Sequence, residues 1–251
     1  MSSRIKDAPW ISLTTVIVLF IVLTVVRIGD TEGKVLFSDD FESGNLGQWE
    51  VIGGGWKVTK IEGNRVAETK VAVDGDNFRT LNITDQVFSD FTIEARIWQV
   101  SQDHGANIYF RNNQSRRNPQ QHSGYWFGIS GALAAVGWGT FENGVQSVID
   151  VQFSDVQLDS WVRLKLDVEG RSAVMWIQRG GVDDEFQNVF EIDNLLEVTR
   201  QDYAKGSIGF VVAGAEVRVD DVVISDDGKG LVVERAGKTA VLWGQLKGSF
   251  K

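Results

Sequence analysis

A run of nineteen uncharged residues between Asp7 and Arg27 is the feature that most constrains this chain. At a rise of about 1.5 Å per residue, a helix of that length covers roughly 28 Å, close to the thickness of the hydrocarbon core of a bilayer. We therefore predict a transmembrane helix over residues 8–28, which separates a short N-terminal segment (residues 1–7) from a polar linker (residues 29–34).

The flanks of this run predict its orientation. Arg4, Lys6 and Asp7 are the charged side chains before it, and short flanks with a positive balance stay in the cytoplasm. We expect a single-pass membrane protein with a cytoplasmic N-terminus and a periplasmic or extracellular C-terminal domain. A cleaved signal peptide is the alternative, but its apolar region usually spans about 7–15 residues and ends in a small-x-small site, which VVRIGDTEG lacks.

The rest of the sequence predicts β-structure. Strand-like runs follow one another with turns rich in Gly, Asn and Asp, and the chain contains 27 Gly and 2 Pro. In WVRLKLDV, the apolar Trp161, Leu164 and Leu166 are expected on one face, with Arg163 and Lys165 on the other. The pattern predicts an all-β antiparallel sandwich over residues 35–228, with a C-terminal arm or hairpin over residues 229–251.

Composition excludes some partners and chemistries. The chain has 34 acidic and 25 basic residues, a formal net charge of −9, and an acidic exterior argues against nucleic acid. It has no cysteine, so the domain folds without disulfides and carries no lipid-modified cysteine.

Several runs resemble concanavalin A-like lectin/glucanase domains. LFSDDFESGNLGQWEVIGGGWKV resembles the first strands of those domains, and so does the block DFTIEARIWQV, GANIYFRNN and GYWFGI. SAVMWIQRG with GSIGFVVAGAEVRVDDVVIS resembles the closing strands. The most similar subgroups are the 3-keto-disaccharide-hydrolase-like and laminin-G-like domains. The resemblance covers about residues 35–227 and implies a jelly roll of two curved antiparallel sheets, often with a sugar-binding concave face.

Catalytic residues are not predicted. Glu191, Asp193 and Glu197 in FEIDNLLE resemble the Glu-x-Asp-x-(x)-Glu strand of laminarinase-type glucanases, but one extra residue precedes the last Glu. The two catalytic carboxylates of a retaining glycosidase lie about 5 Å apart, and the sequence instead favours a solvated acidic turn here. The strand 124–126 also lacks the acidic residue that the hydrolase-like subgroup places after its Tyr.

No cofactor or catalytic metal is predicted either. The two histidines, His104 and His122, lie in polar loop sequence and are expected to be solvated. A calcium site is an open alternative, because hard oxygen ligands occur on the first and last strands. The residues concerned are Asp39, Asp40, Glu42, Asp220 and Asp221, and acidic residues at strand ends are also common turn formers.

A candidate glycan site involves five residues on neighbouring runs. Asn107, Tyr109 and Arg111 share one strand face by parity, and Tyr125 and Trp138 lie on runs that are expected to pair nearby. Sugar sites combine aromatic faces with planar hydrogen-bonding groups. The alternative is that these aromatic side chains fill the core between the sheets.

Membrane and partner contacts are predicted at both ends of the chain. Trp10 suits the membrane interface, and hydroxyl groups in the span can bond to neighbouring helices or back to their own helix; they belong to Ser12, Thr14, Thr15 and Thr24. In the C-terminal arm, Leu242 and Trp243 require burial on their own domain, on a partner protein or at the membrane surface.

These features favour a non-catalytic accessory subunit of a larger membrane complex, whose outer domain braces partner subunits. A respiratory or photosynthetic assembly would fit. The alternative is a membrane-anchored carbohydrate-binding module with a glycan partner. A glycoside hydrolase that uses Glu191 and Glu197 is the third hypothesis.

Overall fold

The computed structural model describes residues 34–70, 78–100, 105–113, 122–131, 133–154, 156, 158–180 and 184–226. All of them belong to a unit that begins at Gly33. The predicted transmembrane helix and the C-terminal arm lie outside these residues. Within them, no helix has both the length and the apolar character to cross a membrane.

The described domain consists of strands and one short helix. The elements are β1 (Val35–Asp39), β2 (Trp49–Ile52), β3 (Trp56–Ile61), β4 (Asn64–Thr69), β5 (Arg79–Ile83), β6 (Phe91–Gln99), β7 (Gly105–Asn112), β8 (Gly124–Ser130), β9 (Ala135–Glu142), β10 (Val145–Phe153), β11 (Trp161–Glu169), β12 (Ser172–Arg179), β13 (Gln187–Ile192), α1 (Leu195–Thr199), β14 (Ser207–Ala213) and β15 (Val217–Ser225).

The strands form two antiparallel sheets. The first sheet has the order β13-β12-β11-β6-β15-β4-β3, with β1 also paired to β15, and the second has the order β10-β9-β8-β7-β14-β5-β2. This architecture confirms the prediction of an antiparallel β-sandwich. Strand β13 is an edge strand of the first sheet, and β10 is an edge strand of the second. The candidate site involves these two edge strands.

The core between the sheets follows the alternation of the sequence. In β11, Val162, Leu164 and Leu166 are at most 2% exposed, while Arg163 and Lys165 remain half-buried on the outer face. Trp161 was expected beside the leucines, but it lies outside the core cluster and contacts Trp98. Its odd position puts it on the same face as Arg163, so the prediction for Trp161 is wrong.

Candidate functional site

An open cleft of about 600 Å³ lies where the two sheet edges approach each other. Strand β10 contributes one side, and β13 with α1 contributes the other. The side-chain amide of Gln152 donates to the carbonyl oxygen of Val189 and joins the two edges. The polar side chains that line the cleft are Asp150, Gln152, Glu191, Asp193, Asn194 and Glu197.

The turn from β13 into α1 fixes one side of this cleft. Asn194 is the N-cap of α1, and its Oδ1 accepts a hydrogen bond from the backbone N–H of Glu197 at 3.4 Å. Leu195 is buried and anchors the helix, which ends at Arg200 in the left-handed conformation, with φ 63°. The helix places Glu197 in the lining of the same cleft as Glu191.

The cleft is acidic. Asp150, Glu191, Asp193 and Glu197 are exposed, and within the described part of the chain none of them takes part in an ion pair. No lysine or arginine is among the lining residues, whose apolar members include the buried Trp138 and Phe190. The carboxylates are therefore available to a ligand, and they disfavour a ligand that is itself an anion.

The structure separates the five residues of the predicted glycan site. Asn107 and Tyr109 do share the outer face of the second sheet, because the residues that alternate with them are in the core. Tyr125 and Trp138 belong to the core cluster between the sheets instead. Trp138 reaches the edge cleft from that core, so it lies in a different site from the one in which it was predicted.

The side chain of Arg111 does not lie on the same face as Asn107 and Tyr109, because β7 is irregular at this residue. Its φ is 49°, and the pairing of β7 with β14 shifts register beside it. The guanidinium instead bonds to the segments before β6 and β14: Nε and Nη2 donate to Ser89 O at 3.0 and 2.6 Å, and Nη1 donates to Tyr203 O at 3.3 Å. Arg111 is only 2% exposed, so parity placed it wrongly and its role is structural.

Aromatic rings missed by the sequence analysis cover the outer face of the second sheet. Trp126, Phe141 and Val211 cluster there with Tyr109. A Cβ on Gly124 would lie 2.9 Å from the Tyr109 ring, so this glycine lets the ring lie flat on the neighbouring strand. His122 is fully buried against the Tyr109 and Phe141 rings, which corrects the expectation that it is solvated. His104 lies outside the described residues.

The hydroxyl of Tyr109 is buried and has no hydrogen-bond partner among the residues that the structure describes. Burial, with a smaller contribution from Tyr203, raises its pKa. We expect Tyr109→Phe to raise the free energy of unfolding by about 1–2 kcal/mol, because it removes a desolvated polar group with no bond to lose. Urea unfolding of the full chain, followed by tryptophan fluorescence, measures this difference.

Tyr125→Phe is the matched control. The Tyr125 hydroxyl donates to Gln201 O at 2.7 Å and accepts from Tyr203 N at 3.3 Å, so its removal should lower the free energy of unfolding by about 1 kcal/mol. A loss of stability in both variants would contradict the unpartnered state of the Tyr109 hydroxyl.

The acidic residues proposed for calcium are close in the fold but bind protein donors. Strand β1 pairs with β15, as predicted. Asp39 accepts from Phe41 N and Trp49 Nε1, both at 2.8 Å, and Asp220 and Asp221 pair with Arg96. Among the residues that the structure describes, no group of three or more acidic or histidine side chains is arranged to hold a metal ion.

The predicted membrane and partner contacts fall outside the described residues. They are Trp10, Ser12, Thr14, Thr15, Thr24, Leu242 and Trp243.

The outer face of the first sheet carries a layer of cations over aromatic rings, which the sequence analysis did not identify. The Arg96 guanidinium lies 4.3 Å from the centre of the Trp161 ring, and Lys165 Nζ lies 5.3 Å from that of Trp176. These cations also pair with carboxylates, as Arg96 does with Asp221 at 3.0 Å. Their charges are therefore largely compensated within the domain.

The comparison with known proteins identifies the fold. No protein-family model and no curated protein matches the sequence. A protein with a galectin-like fold from Bacillus subtilis matches with a TM-score of 0.59 and 13% identity, over 78% of this chain and 97% of the other. The carbohydrate binding module CBM66 from Bacillus subtilis matches with a TM-score of 0.53 and 18% identity, over 71% of this chain and 95% of the other.

A third match is the exoplasmic/lumenal domain of VIP36, whose structure contains Ca²⁺ and Man3GlcNAc. It has a TM-score of 0.52 and 11% identity, over 76% of this chain and 86% of the other. At these identities the similarity concerns the fold alone. The described domain shares the antiparallel β-sandwich fold of these three proteins.

Proposed function

We propose that this domain is a carbohydrate-binding module and that the acidic edge cleft is its glycan site. The observation that carries the proposal is an open cleft with four unpaired carboxylates and two side-chain amides beside Trp138 and Phe190. Carboxylates accept hydrogen bonds from sugar hydroxyls and amides both donate and accept them, while the exposed lining side chains of Ile149 and Val198 can pack against the C–H faces of the ring. A volume of about 600 Å³ suits a short stretch of a glycan chain.

The lectin-type fold supports this alternative over the role of a complex subunit. CBM66 is a carbohydrate-binding module and VIP36 was solved with a bound mannose glycan. The subunit hypothesis depends on residues 8–28 and 229–251, which lie outside the described residues. The placement of the domain outside the cytoplasm, where glycans are accessible, remains part of the proposal.

The charge of the cleft indicates which glycans it should prefer. Four carboxylates without a basic neighbour repel sugars that carry carboxylates or sulfates. Neutral sugars and amino sugars with a protonated amine fit the same groups without that repulsion. We therefore expect neutral or amino-sugar polymers to bind more tightly than polymers of uronic acids.

We propose binding without cleavage of the glycan. Glu191 lies on an edge strand and Glu197 on a helix that follows it, and the sequence between them departs from the glucanase pattern. Incubation of the protein with each glycan that it binds, followed by an assay for new reducing ends, should show no product. If the parent chain produces new reducing ends and the Glu191→Gln/Glu197→Gln variant does not, the protein is instead a hydrolase.

A glycan array of the detergent-solubilised full chain, followed by calorimetry, tests the site. Glu191→Gln/Glu197→Gln should weaken binding of the best glycan about tenfold or more, since hydrogen bonds to charged acceptors contribute roughly 1.5–3 kcal/mol each. Glu62→Gln, an exposed glutamate in the turn between β3 and β4, is the matched control and should bind normally. Titrations with added calcium and with a chelator determine whether calcium takes part.

The same titrations determine whether the glycan binds in the cleft or on the outer face of the second sheet. Asn107→Ala should leave glycan affinity unchanged, because Asn107 lies on that face and is only 7% exposed. A loss of binding in Asn107→Ala with normal binding in the double glutamate variant would move the site to the outer face. No binding to any glycan would contradict the proposed function.

A further inference from the structure

Strand β10 has the properties of a sheet edge that another strand covers. Isolated edges in stable proteins are usually short or carry lysine or proline, which prevent pairing with further strands. Strand β10 spans nine residues and contains no lysine, arginine or proline, although Asp150 and a bulge between Val148 and Asp150 interrupt its regular course. Its Val145, Val148 and Phe153 are 67%, 58% and 84% exposed. Among the described strands, only β9 pairs with β10, so the other backbone edge of β10 and these apolar side chains can accept a further strand.

The chain itself contains a segment of matching chemistry. Residues 229–251 alternate apolar and polar residues around Val233 and Val241, a pattern typical of strands. One acidic residue, Glu234, stands against five basic residues: Lys229, Arg235, Lys238, Lys247 and Lys251. The edge beside β10 has the opposite charge, with four unpaired carboxylates and no basic lining residue.

The distance between the end of β15 and the cleft allows this segment to reach it. The register of the first sheet places Ser225, Thr92, Asp167, Val174 and Glu191 in one row across β15, β6, β11, β12 and β13. At about 4.8 Å per strand, Glu191 lies roughly 19 Å from Ser225. About six extended residues span that distance, which leaves enough of the segment to lie along the nine residues of β10.

We propose that residues 229–251 bind along β10 of the same molecule as an added strand and cover the acidic cleft. The apolar side chains of the segment would cover those of β10, and its basic residues would neutralise the carboxylates. A second copy of the chain is a poorer occupant, because pairing of β10 with another β10 brings two acidic clefts together. Competition between the segment and a glycan follows only if the proposed function holds.

Distance measurements between spin labels test the docking without any glycan. The chain has no cysteine, so Gln146→Cys with Gln245→Cys places one label on β10 and one in the segment. Lys57→Cys with Gln245→Cys is the control, because Lys57 lies on β3 at the opposite edge of the first sheet. Pulsed electron resonance of the detergent-solubilised full chain should give a short, narrow distance for the first pair and a longer one for the control.

Charge reversal and dilution complete the test. Lys238→Glu/Lys247→Glu/Lys251→Glu should lengthen and broaden the Gln146–Gln245 distribution, because it removes the charge complementarity. A distribution that is broad in the parent chain and unaffected by the reversal would overturn the proposal. If the short distance disappears when labelled protein is diluted with unlabelled protein, a second copy of the chain occupies β10. If the short distance is lost when the protein is placed in lipid nanodiscs, the segment binds the membrane.

Glycan calorimetry on the charge-reversed chain then tests the consequence for binding. If the cleft is the glycan site, release of the segment should tighten glycan affinity a few-fold. A short distance without any change in affinity would leave the docking intact and contradict the glycan site. The two proposals therefore fail independently.

Discussion

Replacement of Arg111 by methionine should lower the free energy of unfolding by about 3–5 kcal/mol. The side chain is 2% exposed and donates hydrogen bonds to the carbonyl oxygens of Ser89 and Tyr203. Methionine keeps much of the apolar stem but leaves both carbonyl groups without this donor. These bonds join the segment before β6 to the segment before β14, so their loss should affect the whole domain. Urea unfolding followed by tryptophan fluorescence should show one cooperative transition, at a lower urea concentration than in the parent chain.

Arg163→Met is the matched control for this prediction. Its guanidinium lies on the outer face of the first sheet with 31% of the side chain exposed, and it pairs with Glu94 at 2.9 Å. This pair is half-buried, and Glu94 keeps Lys165 as a second cation at 3.8 Å when Arg163 is replaced, so the variant should lose only about 1 kcal/mol. Equal losses in the two variants would mean that burial of the Arg111 bonds adds nothing to stability.

The fold was predictable because strand periodicity reports burial directly. In β11 the alternation of apolar and charged residues corresponds to the core and outer faces of the sheet. Alternation fails where the backbone does not continue as a regular strand. The positive φ of Arg111 redirects its side chain, and no periodic pattern in the sequence indicates such a bulge.

The candidate site was harder to predict, because its walls come from distant parts of the sequence. The sequence pattern places Glu191 in a local motif and Trp138 in another predicted site, yet both line the cleft together with Asp150. Their proximity depends on β10 and β13 being edges at the same end of the sandwich. That is a property of strand order, which residue composition and spacing do not encode.

Alkaline pH should destabilise the domain strongly. The chain has three tyrosines, and burial is the largest cause that raises the pKa of each one, Tyr109, Tyr125 and Tyr203. In the unfolded chain these phenols titrate near their ordinary pKa of about 10. Above that pH the unfolded state loses protons that the folded state retains, so stability is intact below about pH 10 and falls as the pH rises further.

The expected loss is about 1.4 kcal/mol for each pH unit above 10 for the buried Tyr109 and Tyr125, up to the pKa of each in the folded state, and it is smaller for the partly exposed Tyr203. Urea unfolding at a series of alkaline pH values measures it, and the absorbance of tyrosinate should rise together with unfolding and not before it. Tyr109→Phe removes the most strongly shifted of the three groups and should clearly reduce the slope of stability against pH. Tyrosinate that forms while the tryptophan fluorescence remains native would mean that the phenols are accessible to solvent in the folded domain.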